Sequence, residues 1–121
     1  MLLSRLTQCP FAVKSGGHAA FAGASNIESG ITINLAKLNE VSLSSDKTVA
    51  KVGPGNVWLD VYEALEPHNV TAIGGRVSAI GVGGLTLGGG ISFFSGKYGW
   101  ACDNVANFEV STAEAEWPSY S

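Results

Sequence analysis

The spacing of apolar and polar residues changes several times along the chain. Phe11, Ala12 and Val13 form a short apolar run that passes through Lys14 and is stopped by Ser15-Gly16-Gly17, which predicts a strand entering a tight loop. Ile31, Ile33 and Leu35 alternate with Thr32 and Asn34, the period of a half-buried strand. Thr48 to Val52 reads as a further β-type run ending at the turn signal Gly53-Pro54-Gly55, with Ser44-Ser45-Asp46-Lys47 as a hairpin-like connection. Trp58, Val61, Tyr62 and Leu65 then recur at i, i+3, i+4 and i+7, one face of a helix. Asn56 is expected to cap that helix through its side-chain oxygen, Asp60 suits the positive end of its dipole, and Pro67 stops it. Val70 to Ile73 reads as a strand, Gly74 to Gly90 as a glycine-rich loop region, Ile91 to Phe94 as a short apolar run, and Phe108 with Val110 as a last strand. The pattern predicts an α+β fold of short strands and one clear helix, without an internal repeat.

Composition narrows the picture. Of 121 residues, 45% are hydrophobic and only 14% charged, which excludes a charge-rich disordered chain. A net charge of −3 with no Lys or Arg cluster leaves nucleic acid or an anionic membrane surface without an electrostatic basis. No apolar run reaches the roughly 20 residues of a membrane span, and the start, broken by Arg5 and Gln8, makes a poor signal peptide. A negatively charged ligand would have to be held by backbone N–H groups. Cys9, His18, His68 and Cys102 match no metal-ligand spacing, and two cysteines provide no disulfide framework. Glycine stands out: ten of the 16 glycines fall between Gly74 and Gly99, so the backbone there turns sharply or approaches something closely.

Three segments are candidates for chemistry. In Lys14-Ser15-Gly16-Gly17-His18, two glycines after a strand expose successive N–H groups that can bind phosphate oxygens, with His18 beside them; a plain turn is the simpler reading. The stretch Gly74 to Gly90 fails the dinucleotide fingerprint, because Thr86 stands where the third glycine belongs after Gly81-Val82-Gly83. A Walker-type loop fails as well, since Tyr98 follows Gly96-Lys97. Val82, Leu85, Leu87 and Ile91 are too apolar for a solvated linker, and a buried glycine-lined wall against a flat cofactor fits better. In Lys97 to Asn104, Asp103-Asn104 favours a turn, and aromatic packing is the bland reading. Cys102 reads as a small hydrophobe and His68 as an exposed turn residue.

Taken in order, Pro10 to His18, Val52-Gly53-Pro54-Gly55, Gly75-Arg76, Gly81 to Gly90 and Tyr98 to Asn104 resemble the PCMH-type FAD-binding domain of the vanillyl-alcohol-oxidase superfamily. Within it the chain is most similar to the berberine-bridge-enzyme-like oxidoreductases of filamentous fungi, many of which serve secondary metabolism. The resemblance covers roughly residues 9 to 111. It implies FAD as cofactor, its pyrophosphate bound by Lys14, Ser15, Gly16, Gly17 and His18, and His18 as the candidate for a covalent bond to the flavin 8α-methyl carbon. It also implies that Gly81, Gly83, Gly84, Gly88, Gly89 and Gly90 line the cofactor, that Gly75 and Val77 lie near the isoalloxazine ring, and that Tyr98 and Asn104 close the site. Val77 stands where bicovalent members carry a cysteine, so at most one covalent bond, at His18, is implied.

The same resemblance sets the expected organisation: a short N-terminal remnant at 1–9, a partial FAD-binding domain at 10–111 and an atypical tail at 112–121. Relatives are several times longer, often secreted, and act on a small-molecule substrate through a further domain; no catalytic residue on the substrate side is named in this chain. A truncated gene, a misread intron or a shortened paralogue would explain the change after Val110. The two functions to weigh are an FAD-linked oxidoreductase present as its FAD-binding part and a non-catalytic remnant with weak or no FAD binding. A generic β-rich interaction module, prone to self-association, is the third. The cofactor reading requires a cavity joining the Gly16–His18 bend to the Gly81–Gly90 stretch.

Overall fold

The computed structural model describes residues 6–111. Strand β1 (Phe11–Lys14) pairs in parallel with β2 (Ile31–Asn34), Phe11 opposite Ile31 and Lys14 opposite Asn34. A parallel pair needs a long crossover, and residues 15–30 supply it. β2 ends because the Asn34 side chain accepts the Ala36 N–H at 3.0 Å and starts a 3-10 turn over Leu35–Lys37.

Strands β3 (Val41–Leu43) and β4 (Ala50–Val52) form an antiparallel hairpin, Val41 opposite Val52. Its loop is tied by its own polar residues. The Ser44 hydroxyl donates to Asp46 at 2.6 Å, and Asp46 Oδ1 accepts the Thr48 N–H at 3.2 Å. Ser44 Oγ also accepts the Val49 N–H at 3.0 Å, and Lys47 takes the left-handed conformation the turn needs.

Helix α1 (Trp58–Leu65) carries the centre of the core. Trp58, Val61 and Leu65 are buried together with Val82, and Val41, Leu43, Ala50, Val52, Ile80 and Leu85 pack around them. Each such side chain contributes about 1.5–3 kcal/mol when fully buried, so this one face outweighs any helical propensity of an eight-residue segment. Leu65 runs directly into a 3-10 turn, Glu66–His68, with Pro67 at its start, and Asn69 closes it in the left-handed region.

Several expected elements take another form. Val57, not Asn56, is the N-cap of α1, and Asp60 accepts its N–H at 3.5 Å. Asn56 is instead a buried crosslink: its side-chain amide donates to the carbonyls of Gly53 at 2.9 Å and Glu40 at 3.5 Å, and its own carbonyl accepts the Val82 N–H at 2.9 Å. Val70 to Ile73 is not a strand, although Val70 and Ala72 pack against the core. The expected loop from Gly74 to Gly90 contains helix α2 (Val82–Leu87), which tertiary packing of Val82 and Leu85 sustains against two internal glycines. In the short apolar run Ile91 to Phe94, Ser92 N–H donates to Ser95 Oγ at 2.8 Å and turns the chain into the short helix α3 (Ser95–Tyr98). Phe108 makes a single bridge rather than a strand with Val110. The expected tail, 112–121, and most of the expected N-terminal remnant lie outside the described residues.

Candidate functional site

Ser15 is the joint of the site. Its hydroxyl donates to the Pro54 carbonyl at 2.6 Å and accepts the Gly83 N–H at 3.3 Å. One side chain therefore ties three segments that lie up to 68 positions apart: the loop after β1, the turn after β4 and the start of α2. Gly16 and Gly81 then meet backbone to backbone; a Cβ on Gly16 would lie 2.6 Å from the Gly81 nitrogen, and one on Gly81 would strike Gly16 in return. Gly17, at φ 70°, lies over the aliphatic stem of Lys14. His18 is exposed. The N–H groups of Gly16, Gly17, His18 and Ala19 have no acceptor within the described protein, so this bend presents a run of open donors.

The glycines differ in what keeps them bare. Gly83 faces Ser15; Gly75 faces Trp58 and Leu85; Gly89 and Gly90, both at positive φ, are pressed by Trp100 and by Leu85 with Ala101. Gly88 ends α2, its N–H bonded to the Gly84 carbonyl at 3.1 Å. At Gly84, by contrast, a side chain would point into open space. Most of the glycine-rich stretch is therefore needed for close packing of the protein on itself, and Gly84 offers a bare helical surface outward.

The segment after α3 is held on that packing. Ala101 and Cys102 donate backbone bonds to Gly90 and Gly89 at 2.8 and 2.9 Å. Asn104 donates its amide to the carbonyls of Tyr98 at 3.0 Å and Trp100 at 2.8 Å, and Asp103 accepts the Trp100 N–H at 2.8 Å. Asn104 thus shapes its own loop, whereas the Tyr98 ring is exposed with the Lys97 ammonium 4.8 Å from its centre. Val77 is also exposed.

Sequence reasoning missed Tyr62 and Trp58 as partners of Gly75. The Tyr62 hydroxyl donates to the Gly75 carbonyl at 2.8 Å, and burial raises its pKa above the ordinary 10.0. Their helical spacing announced a core face, but nothing in it announces a bond to a residue 13 positions on.

One depression of about 360 Å³ borders Lys14 and Gly17 and continues along Ala19 to Ala22, Ser25 and Asn26. A larger one, about 630 Å³, lies between α1 and the Asn69–Thr71 segment. Neither includes a residue of Gly81 to Gly90, so neither depression is the joining cavity that the sequence reading required. Gly16 and Gly81 touch instead of facing each other across a gap. The open N–H groups of the bend suit a pyrophosphate in kind, and Val77, Leu87, Tyr98 and the bare helical position Gly84 are each exposed.

Comparison with known proteins agrees with this chemistry. The FAD binding domain family matches residues 2–118. The chain is 57% identical over 111 residues to the FAD-dependent monooxygenase tpcD of Cochliobolus heterostrophus, covering 92% of this chain and 21% of that protein. It is 49% identical to the FAD-dependent monooxygenase FUP4 of Fusarium proliferatum, covering 91% of this chain and 21% of that one. The chain therefore spans about a fifth of these relatives' length. Among solved structures, 6-hydroxy-D-nicotine oxidase of Arthrobacter nicotinovorans superimposes with a TM-score of 0.89 at 27% identity, over 98% of this chain and 26% of that one. Glucooligosaccharide oxidase of Acremonium strictum, whose FAD is 6-S-cysteinyl and 8α-N1-histidyl, does so with a TM-score of 0.86 at 25% identity, over 99% and 26%. By the match along nearly its whole length, the chain belongs to the FAD-binding domain family of the vanillyl-alcohol-oxidase and berberine-bridge-like flavoproteins.

Proposed function

We propose that this chain is the FAD-binding part of an FAD-linked oxidoreductase that oxidises a small organic substrate in fungal secondary metabolism. The observation that carries the reading is the Ser15 hydroxyl, which brings the open donors of the Gly16–His18 bend against the first turn of α2. There Gly16, Gly17 and His18 would bind the pyrophosphate through main-chain N–H groups, with the Lys14 stem supporting Gly17 from below. Gly81, Gly83 and Gly84 would present the bare start of α2 to the cofactor, and Gly88, Gly89 and Gly90 would hold that surface against Trp100 and Ala101. Gly75 and Val77 would border the ring system, and Tyr98 and Asn104 would shape the opposite edge. Bound flavin supplies hydride acceptance; the protein's part is to bind and orient it. His18 is exposed beside the bend and free to take the attachment role that a histidine fills in glucooligosaccharide oxidase. Val77 offers no thiol for a second bond.

The test is thermal unfolding of the full chain with and without FAD, followed by denaturation of the loaded protein. A ligand that binds only the folded state stabilises it by about 2.7 kcal/mol at a hundred times its Kd, so the melting temperature should rise. Flavin should remain with the denatured polypeptide, and His18→Ala should release it. An unchanged melting temperature overturns the binding role; flavin lost freely from the unsubstituted chain overturns the covalent one.

A further inference from the structure

We propose that Tyr62 is a positioning residue that fixes the Gly75–Val77 segment where the flavin ring would lie. The inference rests on the cofactor reading above for its consequence, but its geometry stands on the described structure alone. The segment is held at both ends from helix α1. At the near end, Tyr62 donates to the Gly75 carbonyl at 2.8 Å. Trp58 lies 5.8 Å from Tyr62, ring centre to ring centre, and its indole fills the space that a side chain on Gly74 or Gly75 would need. At the far end, the α1 N–H groups of Leu59 and Trp58 donate to the carbonyls of Ser78 and Ile80 at 3.1 and 3.0 Å.

Between these anchors Arg76, Val77, Ser78 and Ala79 are all exposed, and their N–H groups find no acceptor in the described protein. Nothing internal to the loop except the Ile80 N–H bond to the Val77 carbonyl, at 3.2 Å, sets its shape. Position is therefore imposed from the helix, and the Tyr62 hydroxyl is the one side-chain hydrogen bond in the described structure that reaches Gly75. Burial keeps that hydroxyl protonated, and so a donor, beyond pH 10.0. A phenyl ring at the same place would keep the contact with Trp58 and lose only the latch.

The experiment compares the full chain with Tyr62→Phe and with Ser44→Ala, which removes a hydroxyl bond in the remote β3–β4 loop. Two readouts separate the latch from the cofactor reading. In flavin-free protein, backbone order parameters of residues 75–79 should fall from a rigid value near ~0.85 to below ~0.6 in Tyr62→Phe, with the Gly75 carbonyl carbon shift moving as its bond is lost. Ser44→Ala should leave both unchanged. In flavin-loaded protein, Tyr62→Phe should raise the Kd for FAD about fivefold, the equivalent of one lost hydrogen bond of about 1 kcal/mol, and alter the visible circular dichroism of the flavin. Unchanged order parameters overturn the latch. Loosened residues 75–79 with unchanged flavin affinity and dichroism overturn the positioning role. A chain that takes up no FAD at all overturns the cofactor reading, while the flavin-free arm still decides the latch. Should Tyr62→Phe fail to fold, Tyr62→Leu also removes the hydroxyl donor while keeping an apolar side chain, and is read by the same two measurements.

Discussion

Glycines that look alike in sequence do different work at single positions. Gly81 and Gly84 belong to one motif and sit three residues apart, yet a Cβ on the first meets the Gly16 backbone and one on the second meets nothing. Gly81→Ala should therefore destabilise the free chain by about 1–3 kcal/mol, as overpacking does, and separate the Ser15 bend from α2. Gly84→Ala should instead stabilise the flavin-free chain by about 0.5–1 kcal/mol, the ordinary gain of alanine over glycine inside a helix. If the bare surface of α2 meets the cofactor, the same substitution weakens FAD. Denaturant unfolding and FAD titration of both variants check the pair; equal effects on stability would show that the two positions share one environment.

At the level of elements, helix α1 is the organiser. It supplies Trp58, Val61 and Leu65 to the core and holds the Gly75 segment. Leu65→Ala should cost about 2–5 kcal/mol, a large share of the total for a small domain, seen as a lower urea midpoint. The β3–β4 hairpin responds to acid. Hydrogen bonds from Ser44 and then Thr48 lower the Asp46 pKa below 3.8. Its contribution is therefore complete above that unfolded-state value and is lost as the pH falls through the lower folded value. An NMR titration of the Asp46 carboxyl should give a midpoint below 3.8, and Ser44→Ala should move it upward.

On the scale of the whole molecule, apolar surface is the dominant feature. Leu87 is 79% exposed and Phe93 78%, and Ile91, Phe94, Tyr98 and Trp100 are exposed near them in the chain. Exposed apolar surface drives association where it is contiguous, and among the described residues β1 and β2 pair only with each other, which leaves backbone groups along their outer edges. Sedimentation velocity should show concentration-dependent self-association of the isolated chain, reduced by Leu87→Ser together with Phe93→Ser. Monomeric behaviour at all concentrations would contradict it.

How much could be read before folding follows from the range of each interaction. Local signals were legible: the 3.6-residue period of Trp58, Val61, Tyr62 and Leu65 became α1, and the run Phe11–Lys14 before Ser15-Gly16-Gly17 became β1 and its bend. The ordered motifs were enough to recognise an FAD-binding domain, because their residue types and spacing survive without coordinates. Only the tertiary structure decided that α2 forms within a glycine-rich stretch, since its stability comes from burying Val82 and packing Leu85 and not from its own residues. Likewise only the fold turned Asn56 from a helix cap into a crosslink and made Ser15 the joint of three segments. A hydrogen bond between residues distant in sequence leaves no period to read; it exists only once packing has brought donor and acceptor together.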